Sequence, residues 1–347
     1  VTIPIYKGFQ LPENCHNRAL FFEKCCDGWD ATWSFDKQKS NWLTKLSMQP
    51  AGNAKHLENA LHRYSSLVES LGGKLLFVRT QGRFVTGIGN EHPVENGFSW
   101  HPTLATPYLP GSSLKGLLRS WYDFVNLEDT QEIFGNDSLG NTGQVGKVIF
   151  FDAIPRKPIK LKPDVMTPHY SEYYSQNSIP PGDWQQPVPI PFLTVDENQA
   201  FVFAIAPRRK EDSKYLDQVY EKLIQVLSYL GAGAKTAVGY GRFTEDVQAS
   251  KEYEKQKIAT EKERKKQEKI ARMSPIQREM LTDGYDEEGF INKIESWLQR
   301  AEQADKQEGI EIAKTLRSWY NTHRKGTFDK PNKKNKDRVR RIKEILS

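Results

Sequence analysis

Apolar side chains recur at steps of three and four in some stretches of the chain and run together in others. The first spacing covers one face of a helix, and the second suits a short buried strand. After an irregular start, residues 1–72 read as mainly helical. Ala19 to Cys26 is a short apolar and charged run. Asn53 to Leu71 places Leu57, Leu61, Tyr64, Leu67, Val68 and Leu71 along one predicted face, and Gly72-Gly73 ends that helix. Lys74 to Gly89 is strand-like, with a break at Gln81-Gly82. A helix is predicted within Tyr108–Val125, capped by Ser112 or Ser113 after Pro110-Gly111, with Leu114, Leu117, Leu118, Trp121 and Val125 as its apolar face.

Gly146 to Ile154 and Pro191 to Ala206 are the next strand regions. Pro155 to Pro191 between them is rich in proline and aromatic residues and shows no regular period. Asp212 to Leu230 is a second amphipathic helix, with Leu216, Val219, Tyr220, Leu223, Ile224, Leu227 and Leu230 on one side. A glycine-rich loop and a last strand follow. The order strand, helix, strand, long insertion, strand, helix, loop, strand predicts a ferredoxin-like α+β sheet with one large excursion.

The remaining quarter changes character. Lys251 to Arg272 is highly charged with few apolar anchors, which predicts a solvated helix or semi-rigid spacer. Ser274-Pro275 starts a new helix. Gly289–Ala304 and Glu308–Tyr320 form an amphipathic pair, one stripe being Ile291, Ile294, Trp297 and Leu298 and the other Ile312, Leu316, Trp319 and Tyr320. Arg324 to Lys336 is basic and loop-like, and Arg338–Leu346 closes the chain as a short helix. The expected organisation is a helical segment at 1–72, a ferredoxin-like domain at 73–248 with its insertion at 155–191, a charged linker at 249–273 and a basic helical extension at 274–347. That extension reads as an accessory module docking a neighbouring subunit or RNA, or as a solubilising addition.

The net charge of +6 is unevenly placed: residues 1–250 hold 25 basic and 26 acidic side chains, residues 251–347 hold 25 and 18. A basic excess confined to one segment suggests a polyanion partner, although mixed charge runs also form plain solvated helix faces. Nothing has the length of a membrane span or the form of a signal peptide, so no membrane partner and a cytoplasmic location are expected. Cys15, Cys25 and Cys26 are too few for a disulfide framework. With His16 they could ligate zinc, but their spacing matches no standard finger, and no metal or other cofactor is expected.

Candidate chemistry gathers in three places. GAGAKTAVGYGRF, Gly231–Phe243, offers the amides of Gly231, Gly233, Gly239 and Gly241 as a nest for anions. Lys235, Thr236 and Arg242 add donors and charge there, and Tyr240 adds a ring for stacking. A glycine-rich turn between helix and strand accounts for the same residues. The stretch is not a P-loop, because Ala234 separates the last glycine from the lysine and a strand follows instead of a helix. The start of the helix at Ser112, Ser113, Lys115 and Arg119 is a second anion site. Met166, His169, Tyr170, Tyr173, Tyr174 and Trp184 in the excursion suit stacking on unpaired bases, or a loop folded back on its own core. His92, His101 and His169 are the candidate acid and base for RNA cleavage, and hydrogen-bonded loop histidines are the alternative.

FVTGIGNEHPVENGFSWHPT (Phe84–Thr103), YLPGSSLKGLLR (Tyr108–Arg119), DVMTPHYSEYY (Asp164–Tyr174), VPIPFLTV (Val188–Val195) and GAGAKTAVGYGRF together span roughly residues 75–245. In that order they resemble the RAMP proteins of type III-B CRISPR effectors, specifically the family of the sixth Cmr subunit. The resemblance implies a ferredoxin-like, RRM-like fold with a thumb within Asp164–Pro191. It implies a cap at the head of a filament, near the 3′ end of the guide CRISPR RNA and in reach of target RNA. The neighbours it implies are the backbone RAMP nuclease subunit, the small helical subunit and the second head RAMP subunit. It also implies no catalysis here. Asp164 lies in the cap family's own DVMTPHY motif and is not matched to the nuclease aspartate. The resemblance does not extend past about residue 250.

Overall fold

The computed structural model describes residues 17–26, 28–136, 143–170, 173–174 and 180–347. The chain divides into two compact units, Val1–Lys251 and Glu252–Ser347.

In the first unit, strands β1 (Lys74–Thr80), β2 (Val148–Phe150), β3 (Ile154–Pro155), β4 (Leu161–Met166), β5 (Ile190–Val195), β6 (Ala200–Pro207) and β7 (Phe243–Glu245) are joined by helices α4 (Gly111–Phe124) and α5 (Leu216–Tyr229). Helices α1 (Arg18–Lys24), α2 (Lys39–Ser47) and α3 (Ala54–Ser70) precede them. The main sheet runs β7-β1-β6-β2, with β3 beside β6. Every pairing is antiparallel, from Lys74↔Ile205 to Arg79↔Ala200 between β1 and β6, and at Thr80↔Phe243 between β1 and β7. Counting β2 and β3 as one interrupted strand, this is the 4-1-3-2 order of the ferredoxin-like βαββαβ fold.

The central strand β6 is buried at every position. Leu114, Leu118, Tyr122, Val219, Leu223 and Val226 join Phe201, Phe203 and Ile205 in the main core, while α3 also packs against β1 and β6. A strand covered on both faces reads as the continuous apolar run it is, AFVFAIA. Helix α3 contributes a narrower stripe than its spacing predicts. Leu57 and Val68 are fully buried, but Leu67 and Leu71 are 49% and 40% exposed, so only one line of the helix rests on the sheet among the described residues.

Two further expectations are corrected. The excursion is not irregular throughout, since β4 pairs with β5 in a two-stranded ladder from Leu161↔Val195 to Met166↔Ile190. Pro163 and Asp164 hide this strand in the sequence, both being poor strand formers tolerated at an edge. The region Pro191–Ala206 is accordingly two strands, one pairing with β4 and one in the main sheet. Helix α4, moreover, is not capped by Ser112 or Ser113: Pro110 is its N-cap residue, and the serines lie in its first turn.

The second unit holds most of α6 (Val247–Ala271), which is solvated along its length apart from Ala249. It also holds α7 (Pro275–Thr282), α8 (Ile294–Gln303), α9 (Lys306–His323) and α10 (Lys336–Leu346). Ser274 and Gln277 form a capping box at the start of α7, the reciprocal arrangement that satisfies two orphan amides. Both predicted stripes meet in one core, where Ile294, Trp297, Leu298, Ile312, Leu316, Trp319 and Tyr320 are buried with Phe290, Phe328, Val339 and Ile342. Ile291 is partly buried against them.

Candidate nucleic-acid interface

The site is built on three extended residues, Arg83–Val85. Successive peptide groups in extended chain point to opposite edges, so this segment bonds to two neighbours at once. On one edge, Gly241 N–H donates to Arg83 O at 2.8 Å and Ala234 N–H to Val85 O at 2.8 Å. On the other, Phe84 exchanges two bonds with Val195 of β5, at 3.0 and 2.8 Å. The glycine loop and the base of the thumb are thereby clamped to a common spine.

Closeness explains the glycines. A Cβ on Gly231 would lie 2.8 Å from the carbonyl oxygen of Gly241, and one on Gly233 would overlap that of Val85. Gly231, Gly233, Gly239 and Gly241 all have positive φ, as does Lys235 at 59°. Three of the four glycine amides expected to face an anion are already bonded to backbone carbonyls, Gly231 on Val226 O, Gly239 on Thr236 O and Gly241 on Arg83 O. The amides of Gly233, Lys235 and Thr236 have no partner among the described residues. The loop therefore offers the amides of Gly233, Lys235 and Thr236 as free donors, while Gly231 and Gly241 are buried.

The start of α4 faces this loop. Gly111 N–H donates to Asp152 Oδ1 at 2.7 Å, so a carboxylate already occupies the first amide of the helix, where the dipole favours negative charge. The interruption between β2 and β3 supplies it: Phe151 N–H bonds Ala204 O and Ala153 N–H bonds Leu109 O, leaving Asp152 between them. Ser112 and Ser113 are exposed. Ser113 joins Thr86, Ser99, Gly233, Ala234 and Thr236 around an open cleft of about 490 Å³, floored in part by Leu109, Pro110 and Leu117. Lys115 and Arg119 are half-buried on the helix beyond the cleft, and Arg119 lies 4.0 Å from Asp123.

Tyr240 is not a free stacking ring. Its hydroxyl donates to Asp164 Oδ2 at 2.6 Å, and its ring leans on Phe192 with centroids 6.0 Å apart. Lys235 Nζ lies 5.4 Å from the centre of the same Phe192 ring. Asp164 also pairs with Arg83 and accepts from Val165 N–H at 2.9 Å. Burial would raise its carboxyl, but the bonds from Tyr240 and Val165 and the Arg83 guanidinium outweigh that and hold it below the ordinary range. Burial first, and then the Asp164 carboxylate, push the Tyr240 phenol up to about 12. Neither Arg83 nor the structural role of Asp164 is signalled by spacing, because Arg83 lies in the extended segment and Asp164 far along the chain in β4. The alternation in RFVTGIG was the available clue to the clamp.

Arg242 is exposed, with its backbone oxygen accepting from Gln81 N–H at 2.8 Å. In the thumb, Met166 and Tyr170 are half-buried and His169 exposed. None of these three lines the cleft. Trp184 and Tyr174 are 70% and 77% exposed.

His92 and His101 have structural surroundings. His92 Nε2 lies 2.8 Å from Phe22 O, and its Nδ1 accepts from Val94 N–H at 3.2 Å. Its ring stacks on Phe22 at 3.8 Å. Both nitrogens are used, which fixes a neutral tautomer, and burial lowers its pKa against the pull of the Phe22 carbonyl. His101 Nδ1 accepts from Leu104 N–H at 3.3 Å. Burial lowers its pKa too, with the Asp152 carboxylate acting the other way. Cys25 and Cys26 are buried, with their Sγ atoms toward the carbonyls of Leu20 and Phe22. Cys15 and His16 lie outside the described residues.

The RAMP superfamily model matches residues 77–244, the span of the sheet, both its helices and the clamp. A CRISPR system Cmr subunit Cmr6 of Pyrococcus furiosus is 32% identical over 53% of this chain and 71% of its own. One of Saccharolobus solfataricus is 34% identical over 43% of this chain and 48% of its own. Among solved structures, a chain of the type III-B Cmr-beta complex bound to cognate target RNA aligns with a TM-score of 0.50 and 25% identity, over 60% of this chain and 72% of that one. On the sheet order, the matched span and the shared sequence, this chain belongs to the Cmr6 family of the RAMP superfamily.

Proposed function

We propose that the chain is a non-catalytic, RNA-binding subunit of a type III-B CRISPR effector, capping the head of the complex near the 3′ part of the guide RNA. The observation that carries this reading is the convergence of two segments far apart in sequence, the start of α4 and the loop at 231–242, on one cleft with hydroxyls and unengaged amides at its rim. Amides and hydroxyls of this kind hold phosphate and ribose and carry no base code. That suits a protein that accepts any guide, since base pairing supplies the sequence reading. Gly233, Lys235 and Thr236 would hold a phosphate, with Ser112 and Ser113 beside them, Lys115 further along the helix and Arg242 on the exposed flank. Met166, His169, Tyr170 and the other thumb aromatics would meet bases where the guide–target duplex is interrupted.

The backbone nuclease subunit, the small helical subunit and the second head subunit are the proposed protein neighbours. The names of the relatives support membership of such a complex. No helix among the described residues is long and apolar enough to cross a membrane, and a cytoplasmic site of action fits an RNA target. His92 and Asp164 are poor bases for cleavage: both nitrogens of His92 are engaged, and Asp164 is tied to Arg83 and Tyr240.

The test is Lys235→Glu with Arg242→Glu. The pair is expected to weaken guide retention and to flatten its salt dependence, because fewer counterions are released on binding. Unchanged guide occupancy would remove the cleft from the interface. Cleavage of repeat RNA by the purified chain, lost on changing His101 or His169 to alanine, would replace the reading with a guide-processing endonuclease.

A further inference from the structure

The helical unit carries a charged surface that the function above does not use. Residues 324–336 hold Arg324, Lys325, Lys330, Lys333, Lys334 and Lys336, with Asp329 as the acidic residue among them. The arginines of this unit are largely bound into pairs: Arg300 with Glu279 and Glu308, Arg341 with Glu295 and Glu302, Arg340 with Asp337 and Glu344. The five lysines of the loop are exposed, and none has an ion pair among the described residues.

This loop is held in shape. Phe328 is 4% exposed, its ring flanked by Arg317 Cζ and Lys343 Nζ, each 5.4 Å from its centre. Asn335 is 7% exposed, accepts from the Tyr320 hydroxyl at 3.1 Å and donates to Asn332 Oδ1 at 3.0 Å. Lys330 N–H bonds Gly326 O at 2.9 Å and Lys336 N–H bonds Asn332 O at 3.0 Å. A loop pinned at Phe328 and Asn335 holds its lysines together with Arg317 and Lys343 instead of letting them disperse. Like charges concentrated without partners repel, and a polyanion relieves that repulsion.

We propose that the loop at 324–336 is a contact for the sugar–phosphate backbone of single-stranded RNA. The choice of RNA among polyanions rests on the function proposed above, whereas the positive surface does not. The one aromatic residue of the loop is buried, so it can neither stack on a base nor anchor in a lipid interface. What remains are point charges suited to phosphates and indifferent to sequence.

The test uses the full chain with a labelled single-stranded RNA homopolymer, titrated at several salt concentrations. Lys330→Gln, Lys333→Gln and Lys334→Gln together should make the plot of log affinity against log salt shallower by about 2, since each phosphate contact on a single strand contributes about 0.7. The same arithmetic weakens binding by about a hundredfold near 0.1 M salt. The three arginine replacements at these positions should retain both slope and affinity. An unchanged slope in the glutamine variant overturns the proposal. So does loss of binding to phosphatidylserine vesicles with RNA binding intact, which would make the partner a membrane. If the cleft pair Lys235→Glu and Arg242→Glu leaves RNA binding unaltered while the glutamine variant weakens it, the cleft reading fails and this contact stands.

Discussion

Gly241→Ala and Gly239→Ala form a matched pair, both at positive φ in the same loop, 74° and 97°. A Cβ at Gly241 would overlap the carbonyl oxygen of Ala232 and lie 3.0 Å from its carbon, whereas one at Gly239 meets nothing within 4 Å. Relief of that overlap must separate two backbones joined by Ala232 N–H to Gly241 O, and it also pulls Gly241 N–H from Arg83 O, both bonds being 2.8 Å. The left-handed conformation alone costs an alanine about 1–2 kcal/mol, which is the whole expectation for Gly239→Ala. Gly241→Ala adds two backbone hydrogen bonds at about 1 kcal/mol each, for a total of about 3–4 kcal/mol. Both units contain tryptophan, so bulk fluorescence would mix them. Hydrogen–deuterium exchange along a urea titration, read on peptides covering 200–207 and 216–229, isolates the first unit. Equal losses in the two variants would refute the argument, because they would mean that the glycine at 241 is required only for its φ and that the clamp on Arg83–Val85 contributes nothing.

Tyr240→Phe removes the 2.6 Å bond to Asp164 and should cost about 1.5–3 kcal/mol, the range for a bond to a charged group, measured as a lower unfolding midpoint of the first unit. Asp164 has a depressed carboxyl, so its contribution is complete above the ordinary carboxylate range and drains away as pH falls through the lowered value; Asp164→Asn should flatten the acid limb of the stability–pH curve. Arg341→Ala breaks pairs with both Glu295 and Glu302 and should destabilise the second unit by about 1–2 kcal/mol, above the range of a lone surface pair because two carboxylates lose their partner; exchange on peptides of α8 and α9 reports it. His92→Ala should destabilise the first unit by about 2 kcal/mol through the lost stacking and hydrogen bonds, with no RNA cleavage by the purified chain either before or after the change.

Secondary structure driven by local spacing was legible in the chain. The helices at 54–70, 111–124, 216–229, 294–303 and 306–323, and the apolar run of the central strand, follow from period alone. So does the α+β order, because a ferredoxin-like sheet is specified by the succession of elements. Local periodicity failed where composition opposed it: Pro163 and Asp164 sit in a strand that persists because β5 pairs with it. It failed again at the helix start, where two serines suited to capping are bypassed and a carboxylate from the break in another strand takes the amide.

Which residues could meet RNA was legible only as segments. Sequence marked 111–119 and 231–242 as glycine- and cation-bearing, since rare residue types stand out without any knowledge of the fold. That the two share a cleft, that three of four glycine amides are already bonded to carbonyls, and that Tyr240 is tied to Asp164 were settled only by the folded chain. Backbone groups all look alike in a sequence, and a donor is left over for a ligand only after every nearer acceptor has been assigned, which is a property of the folded whole.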